Sequence, residues 1–178
     1  MSPRIPTFLA PLLPLLAGAC GAPQRPDGGR GLLPVGSPAP EVSAPDQDGR
    51  LHRLRDDRGQ VVVVYFYPKD STPGCTREAC AFRDAWDRLS RGGVVVFGVS
   101  TDDQASHARF AREHRLPFPL LADTDRTWVT AFGVPVRLGM ASRVSFLFDK
   151  EGRVAKVYPD VDPAVHASRI LADAATLR

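Results

Sequence analysis

Cysteine is scarce in this chain: three residues in 178 positions, at 20, 75 and 80. So sparse a set excludes a disulfide-stapled scaffold, and a chain of this length buries a core without staples. The odd count means that one cysteine differs in role from the other two. Long apolar runs are also missing, and no stretch reaches the roughly 20 apolar residues of a membrane-spanning helix. Charge of one sign is in short supply. The 23 Lys and Arg residues face 20 Asp and Glu, a net charge of +3 with no basic run, so no nucleic-acid partner is expected. There is no internal repeat. What is present, 43% hydrophobic and 24% charged residues, describes one globular domain with an extension.

The extension lies at the N-terminus. Arg4 supplies a short positive start, and residues 5–16 are apolar although Pro6, Pro11 and Pro14 interrupt them. Ala17, Gly18 and Ala19 then precede Cys20. This order matches a secretory signal with a small-residue cleavage site. It also resembles the bacterial lipobox, in which the cysteine after the cut is lipidated; Ala17 stands where leucine is more usual. The competing reading is a disordered, Pro-rich N-terminus on a cytoplasmic protein. The order of charge, apolar segment and small residues favours export, to the periplasm or to a membrane anchor on Cys20. Residues 1–19 are then a signal peptide, residues 20–31 a flexible tether rich in Gly, Pro and Arg, and residues 32–178 the folded domain.

The body alternates between strand and helix signals. Asp48-Gly49 marks a turn between Val42 and Leu51, which predicts a small hairpin. Residues 61–67 are β-branched and aromatic throughout, as suits a strand buried on both faces. Ala79, Phe82, Ala85, Trp86 and Leu89 fall at helical spacing and predict one helix over 76–91, stopped by Gly92-Gly93. A buried strand follows at 94–99. Asp102 is placed to cap a helix over 103–114, ahead of a short strand at 118–121 and a short helix at 125–132. Residues 144–148 and 154–158 read as a hairpin, and Asp162-Pro163 opens a C-terminal helix. The class is α/β, with a mixed central sheet covered by helices on both faces.

The chemistry concentrates just past the strand at 61–67, the sheet edge where α/β folds place ligands. Thr72 followed by Pro73 has the order of an N-cap and first helical residue, which puts Cys75 in the first turn. Free backbone N–H groups and the positive end of the helix dipole there favour thiolate over thiol, and thiolate is the nucleophile. The Thr72 hydroxyl lies within reach of the sulfur or of a bound substrate. Cys80 lies five residues on in the same helix. Intact helix geometry holds two Cα atoms at that spacing about 8.5 Å apart, whereas disulfides rarely bridge more than about 7 Å. A bond between the two therefore needs the first turns to unwind, which describes a redox switch rather than a staple. A fixed cation beside the thiolate is also expected. Arg143, at the start of the strand before Phe148, is one candidate; Arg137 and a solvated strand end are the alternatives.

The segment Pro68-Lys69-Asp70-Ser71-Thr72-Pro73-Gly74-Cys75-Thr76-Arg77-Glu78-Ala79-Cys80 resembles the active site of peroxiredoxins of the bacterioferritin-comigratory-protein (PrxQ) group. The likeness extends through Gly98-Val99-Ser100, Leu116-Pro117-Phe118-Pro119-Leu120-Leu121 and Arg143 to Phe148. It implies a thioredoxin-like fold without metal or organic cofactor. By position it implies that Cys75 attacks a hydroperoxide and becomes a sulfenic acid, which Cys80 resolves to an intramolecular disulfide. Pro68 would shield the pocket, Thr72 orient the peroxide, and Arg143 stabilise the thiolate and polarise the O–O bond. A thioredoxin-type reductant would recycle a monomeric enzyme acting on hydrogen peroxide and organic hydroperoxides. Ser145 stands where threonine is common, and the export segment is unusual for the group.

Two other functions compete. An exported thiol–disulfide oxidoreductase of the same fold would carry C-x-x-C, whereas here the second cysteine comes three positions later. A copper-binding lipoprotein would need a histidine beside the two thiolates, and His52, His107, His114 and His166 lie far from the pair in sequence, where each reads as a surface residue. Trp86, Trp128 and Phe82 read as core, and Asp70 and Glu78 as charges at the helix start.

Overall fold

The computed structural model describes residues 22–177. The expected signal peptide at 1–19 and Cys20 lie outside the described residues. In chain order the elements are a hairpin of β1 (Ser43–Pro45) and β2 (Leu51–Arg53), then β3 (Val61–Phe66), α1 (Pro73–Asp84), α2 (Trp86–Arg91) and β4 (Val94–Ser100). They continue through α3 (Gln104–His114), β5 (Leu120–Ala122), α4 (Thr127–Ala131), β6 (Val136–Arg137) and β7 (Met140–Ala141). The chain closes with β8 (Val144–Phe148), β9 (Val154–Tyr158) and α5 (His166–Ala174).

The central sheet has the order β5-β4-β3-β8-β9. Strands β3, β4 and β5 run parallel, while β8 lies antiparallel to β3 and β9 antiparallel to β8. Every residue of β3 is buried because both faces of the sheet are covered. Its alternation divides the core in two. Val61, Val63 and Tyr65 face Ala79, Phe82, Leu89, Phe110 and Ile170 from the helical layer. Val62, Val64 and Phe66 face Trp128, Phe132, Phe146 and the arm residues Leu33 and Val42. The sheet is mixed and helices cover both faces, as expected.

Three local expectations need correction. The single helix over 76–91 is two helices, broken at Ala85 (φ −89°, ψ −3°). The break sets Trp86 against Phe118, with ring centroids 5.8 Å apart, and leaves Leu89 fully buried. The cap of α3 is Asp103, whose carboxylate accepts from the Ser106 N–H at 2.8 Å; Asp102 instead accepts from the Asp70 N–H at 2.8 Å and the Ser100 hydroxyl at 3.0 Å.

The third concerns residues 22–31, expected as tether and found folded onto the domain. Gln24 bridges to Arg30. Arg25, 8% exposed, donates from Nη1 to the carbonyls of Arg30, Gly31 and Leu32 at 3.2, 2.8 and 3.1 Å. Gly31 packs so tightly on Gly133, after α4, that a Cβ there would meet the Gly31 oxygen at 1.8 Å. Composition pointed to a solvated linker; one arginine satisfying three carbonyls outweighs it.

Candidate active site

The parallel pairing of β3 with β4 and the antiparallel pairing with β8 bring two chain segments to one end of the sheet. The loop 67–72 leaves the carboxyl end of β3, and Arg143 enters β8 beside it, since Val144 pairs with Phe66. Thr72 is the N-cap residue of α1 by its extended backbone and because its carbonyl accepts the Thr76 N–H at 2.9 Å. Its side chain does not cap, against expectation: the hydroxyl donates to the Lys69 carbonyl at 3.0 Å. That leaves the oxygen's lone pairs free to accept from a ligand. Pro73 takes the first helical position, and Cys75 sits in the first turn as expected. Half-buried Pro68 begins the loop.

Arg143 reaches the sulfur. Its Nη2 lies 3.2 Å from Cys75 Sγ, and its Nη1 donates to Glu78 Oε2. One planar fork thus bridges a thiol and a carboxylate, a geometry lysine cannot reproduce. Gly74 clears the way, because a Cβ there would stand 3.3 Å from Arg143 Nη2. Cys75 is 2% exposed and packs with Tyr65, Tyr67, Ala79 and Phe82. Arg137, the competing cation, is exposed on β6. Cys80 is half-buried, and both cysteines are free thiols in an intact helix.

Four residues read as ordinary from the sequence turn out to be buried at the site. Glu78 is fully buried, and burial pushes its carboxyl up to about 7 against the pull of Arg143. Its Oε1 has no hydrogen-bond partner among the described residues and lies 4.0 Å from His166 Nε2. His166, 2% exposed, shares a hydrogen bond of 2.9 Å with the Ser145 hydroxyl. Burial, and then the charges of Arg169 and Arg143, push this imidazole down to about 4, so the ring is neutral. Asp70 and His107, 6% and 0% exposed, pair at 2.9 Å behind the loop. The signal for all but Asp70 was helical spacing. Glu78 shares a face with Cys75 and Phe82, His107 with Phe110 and Ala111, and His166 with Ile170. Neither buried ring is a surface residue, and each is engaged by other partners than a thiolate. His52 and His114 are half-buried.

The sequence profile of the AhpC/TSA family matches residues 35–157. The chain belongs to that family. A relative from Coxiella burnetii, named putative peroxiredoxin bcp, is 42% identical over 146 residues, covering 78% of this chain and 97% of its own. Among solved structures, peroxidoxin BcpB of Mycobacterium tuberculosis superposes with a TM-score of 0.75 at 34% identity, covering 81% of this chain and 97% of that one. The bacterioferritin comigratory protein of Xanthomonas campestris, studied for its alkyl peroxide reduction activity, gives 0.71 at 34% identity, covering 75% and 89%. The fold is that of the thioredoxin-like peroxiredoxins, and the protein is a peroxiredoxin of the PrxQ group, a thiol-dependent peroxidase.

Proposed function

We propose that this peroxiredoxin reduces hydrogen peroxide and organic hydroperoxides with Cys75 as the attacking thiolate. The observation that carries the assignment is Arg143 Nη2 at 3.2 Å from Cys75 Sγ, at the N-terminal turn of a helix. Guanidinium charge, helix dipole and free backbone N–H groups all stabilise the thiolate over the thiol. The thiolate attacks the terminal peroxide oxygen. An S–O bond forms, the O–O bond breaks, and the alkoxide leaves as an alcohol after taking a proton. Arg143 offers positive charge to the breaking bond, the Thr72 oxygen accepts from the peroxide O–H, and Pro68 limits water at the mouth.

Cys75 is then a sulfenic acid. Cys80 displaces its oxygen as water and closes a disulfide within the chain, a step that requires α1 to unwind. A dithiol protein of the thioredoxin type returns both thiols, and resolution within one chain allows the enzyme to act as a monomer. Residues 1–19 direct export, and Cys20 takes a lipid; the motif before Cys20 supports this reading, and the mass of the mature N-terminus tests it. An unmodified Met1 start would sink it.

The test of the chemistry is stopped-flow consumption of hydrogen peroxide by the reduced protein beside Cys75→Ser and Cys80→Ser. The parent reacts fast and stoichiometrically, Cys75→Ser is inactive, and Cys80→Ser stalls as a sulfenic acid. A parent no faster than free cysteine would overturn the assignment.

A further inference from the structure

Behind the loop that presents Thr72 and Cys75 lies a buried cluster with no part in the chemistry above. Asp70 Oδ1 accepts from the Tyr67 hydroxyl at 2.8 Å, and Asp70 Oδ2 faces His107 Nδ1 at 2.9 Å. The other ring nitrogen, Nε2, faces the Leu121 carbonyl at 3.2 Å. The Tyr67 oxygen is 3.4 Å from Nδ1, and its one proton is already directed at Asp70. Counting donors therefore decides the state of the ring. A carbonyl only accepts, so Nε2 carries a proton. Nδ1 faces a carboxylate oxygen and a hydroxyl oxygen that both accept, so it carries one too. The alternative moves that proton onto Asp70 and leaves the ring neutral. Against it, Asp70 Oδ1 already accepts the Tyr67 hydroxyl at 2.8 Å, a bond that favours the ionised carboxylate.

The cluster also bears on position. His107 belongs to α3 and its carbonyl partner to β5, elements outside the segment that unwinds. On the loop side, Asp70 is further held through its N–H by Asp102, itself bonded to Ser100. The next residue, Ser71, sits in the left-handed region at φ +55°, a conformation that is strained for a non-glycine residue and persists only where its surroundings impose it. Beyond it comes Thr72, whose carbonyl starts α1.

We propose that His107 is a positioning residue: as a buried imidazolium paired with Asp70 it fixes the loop of residues 67–72 to α3, so that Thr72 is aligned on the peroxide before α1 unwinds. This rests on the peroxidase reading for its kinetic consequence, but the charge state of the pair stands apart from it.

The experiment has two arms on the reduced protein. In the first, the side-chain nitrogens of His107 are read by 15N NMR at pH 7. Two protonated nitrogens are expected, and in Asp70→Asn, which removes the charge holding the second proton, the ring becomes neutral. A neutral His107 ring in the parent would overturn the proposal whatever the variants do. In the second arm, the peroxide step and the subsequent disulfide step are timed separately in the parent, His107→Gln and Asp70→Asn. The peroxide step slows about tenfold or more, the scale of a small misplacement of reacting groups, and disulfide closure is unchanged within about twofold. Equal slowing of both steps, or no slowing of the first, would overturn the positioning role. A parent that does not consume peroxide would sink the peroxidase reading instead and leave the NMR result standing.

Discussion

Arg143 contacts two acceptors with one planar group, Cys75 Sγ through Nη2 and Glu78 through Nη1. Arg143→Lys keeps the charge and loses the fork, so the peroxide step should fall on the order of a hundredfold with the fold intact by circular dichroism. A variant as fast as the parent would show that charge alone suffices. Around this contact the pH dependence of stability has two opposed parts. His166 is held down at about 4, against an ordinary 6.5. The unfolded chain therefore takes up a proton that the folded one refuses, and stability falls as pH drops from 6.5 to 4 at up to about 1.4 kcal/mol per unit. Glu78, held up at about 7 against an ordinary 4.5, acts in the other direction: the folded chain keeps a proton, and stability falls as pH rises from 4.5 to 7. Because the two windows overlap, the parent should be nearly flat between about pH 4.5 and 6.5, and in urea melts His166→Gln should gain stability relative to the parent as pH falls through that range; parallel curves would refute a neutral His166. The place of Cys75 in the first turn of α1 and of Cys80 five residues on was legible from Thr72-Pro73 and the spacing, whereas Arg143 was singled out over Arg137 only by the family resemblance. Glu78, His107 and His166 were not legible, because a buried charge becomes evident only once its partner arrives from another element.

At the level of elements, α1 is anchored beyond Cys80. Phe82 is fully buried and stacks on Tyr65 with centroids 4.7 Å apart, and Arg83 donates to the His114 carbonyl at 2.9 Å. Unwinding to join Cys75 and Cys80 is therefore confined to the turns before Phe82. The disulfide form should lose far-ultraviolet helicity and be cut by protease between Thr72 and Phe82 while the rest of the chain resists. Equal helicity and resistance in both redox forms would refute the switch. Phe82→Ala removes the downstream anchor and should cost about 3–5 kcal/mol in denaturant unfolding; a loss under 1 kcal/mol would mean that the helix is held elsewhere. The hairpin of β8 and β9 was legible to the residue because strand periodicity and the Lys150-Glu151-Gly152 turn coincide there. The break at Ala85 was not, since apolar spacing runs straight through it and only the approach of Phe118 to Trp86 requires the bend.

For the whole molecule, alternating strand and helix signals sufficed for the class and for the edge of the sheet that carries the site. The strand order β5-β4-β3-β8-β9 was beyond sequence patterning, because β3 and β8 pair over a sequence separation of 78 to 86 residues. The clasp at the other end was equally hidden. Ala22 packs on Gly31, which closes on Gly133 beside α4, next to Leu33 and Phe132 of the core layer that excludes Cys75. A handle fused ahead of residue 22 therefore departs from the face of the sheet opposite the reactive sulfur. Beads or surfaces coupled through that handle would hold the protein by its back, with the mouth around Cys75 open to peroxide and to a reducing partner arriving from solution.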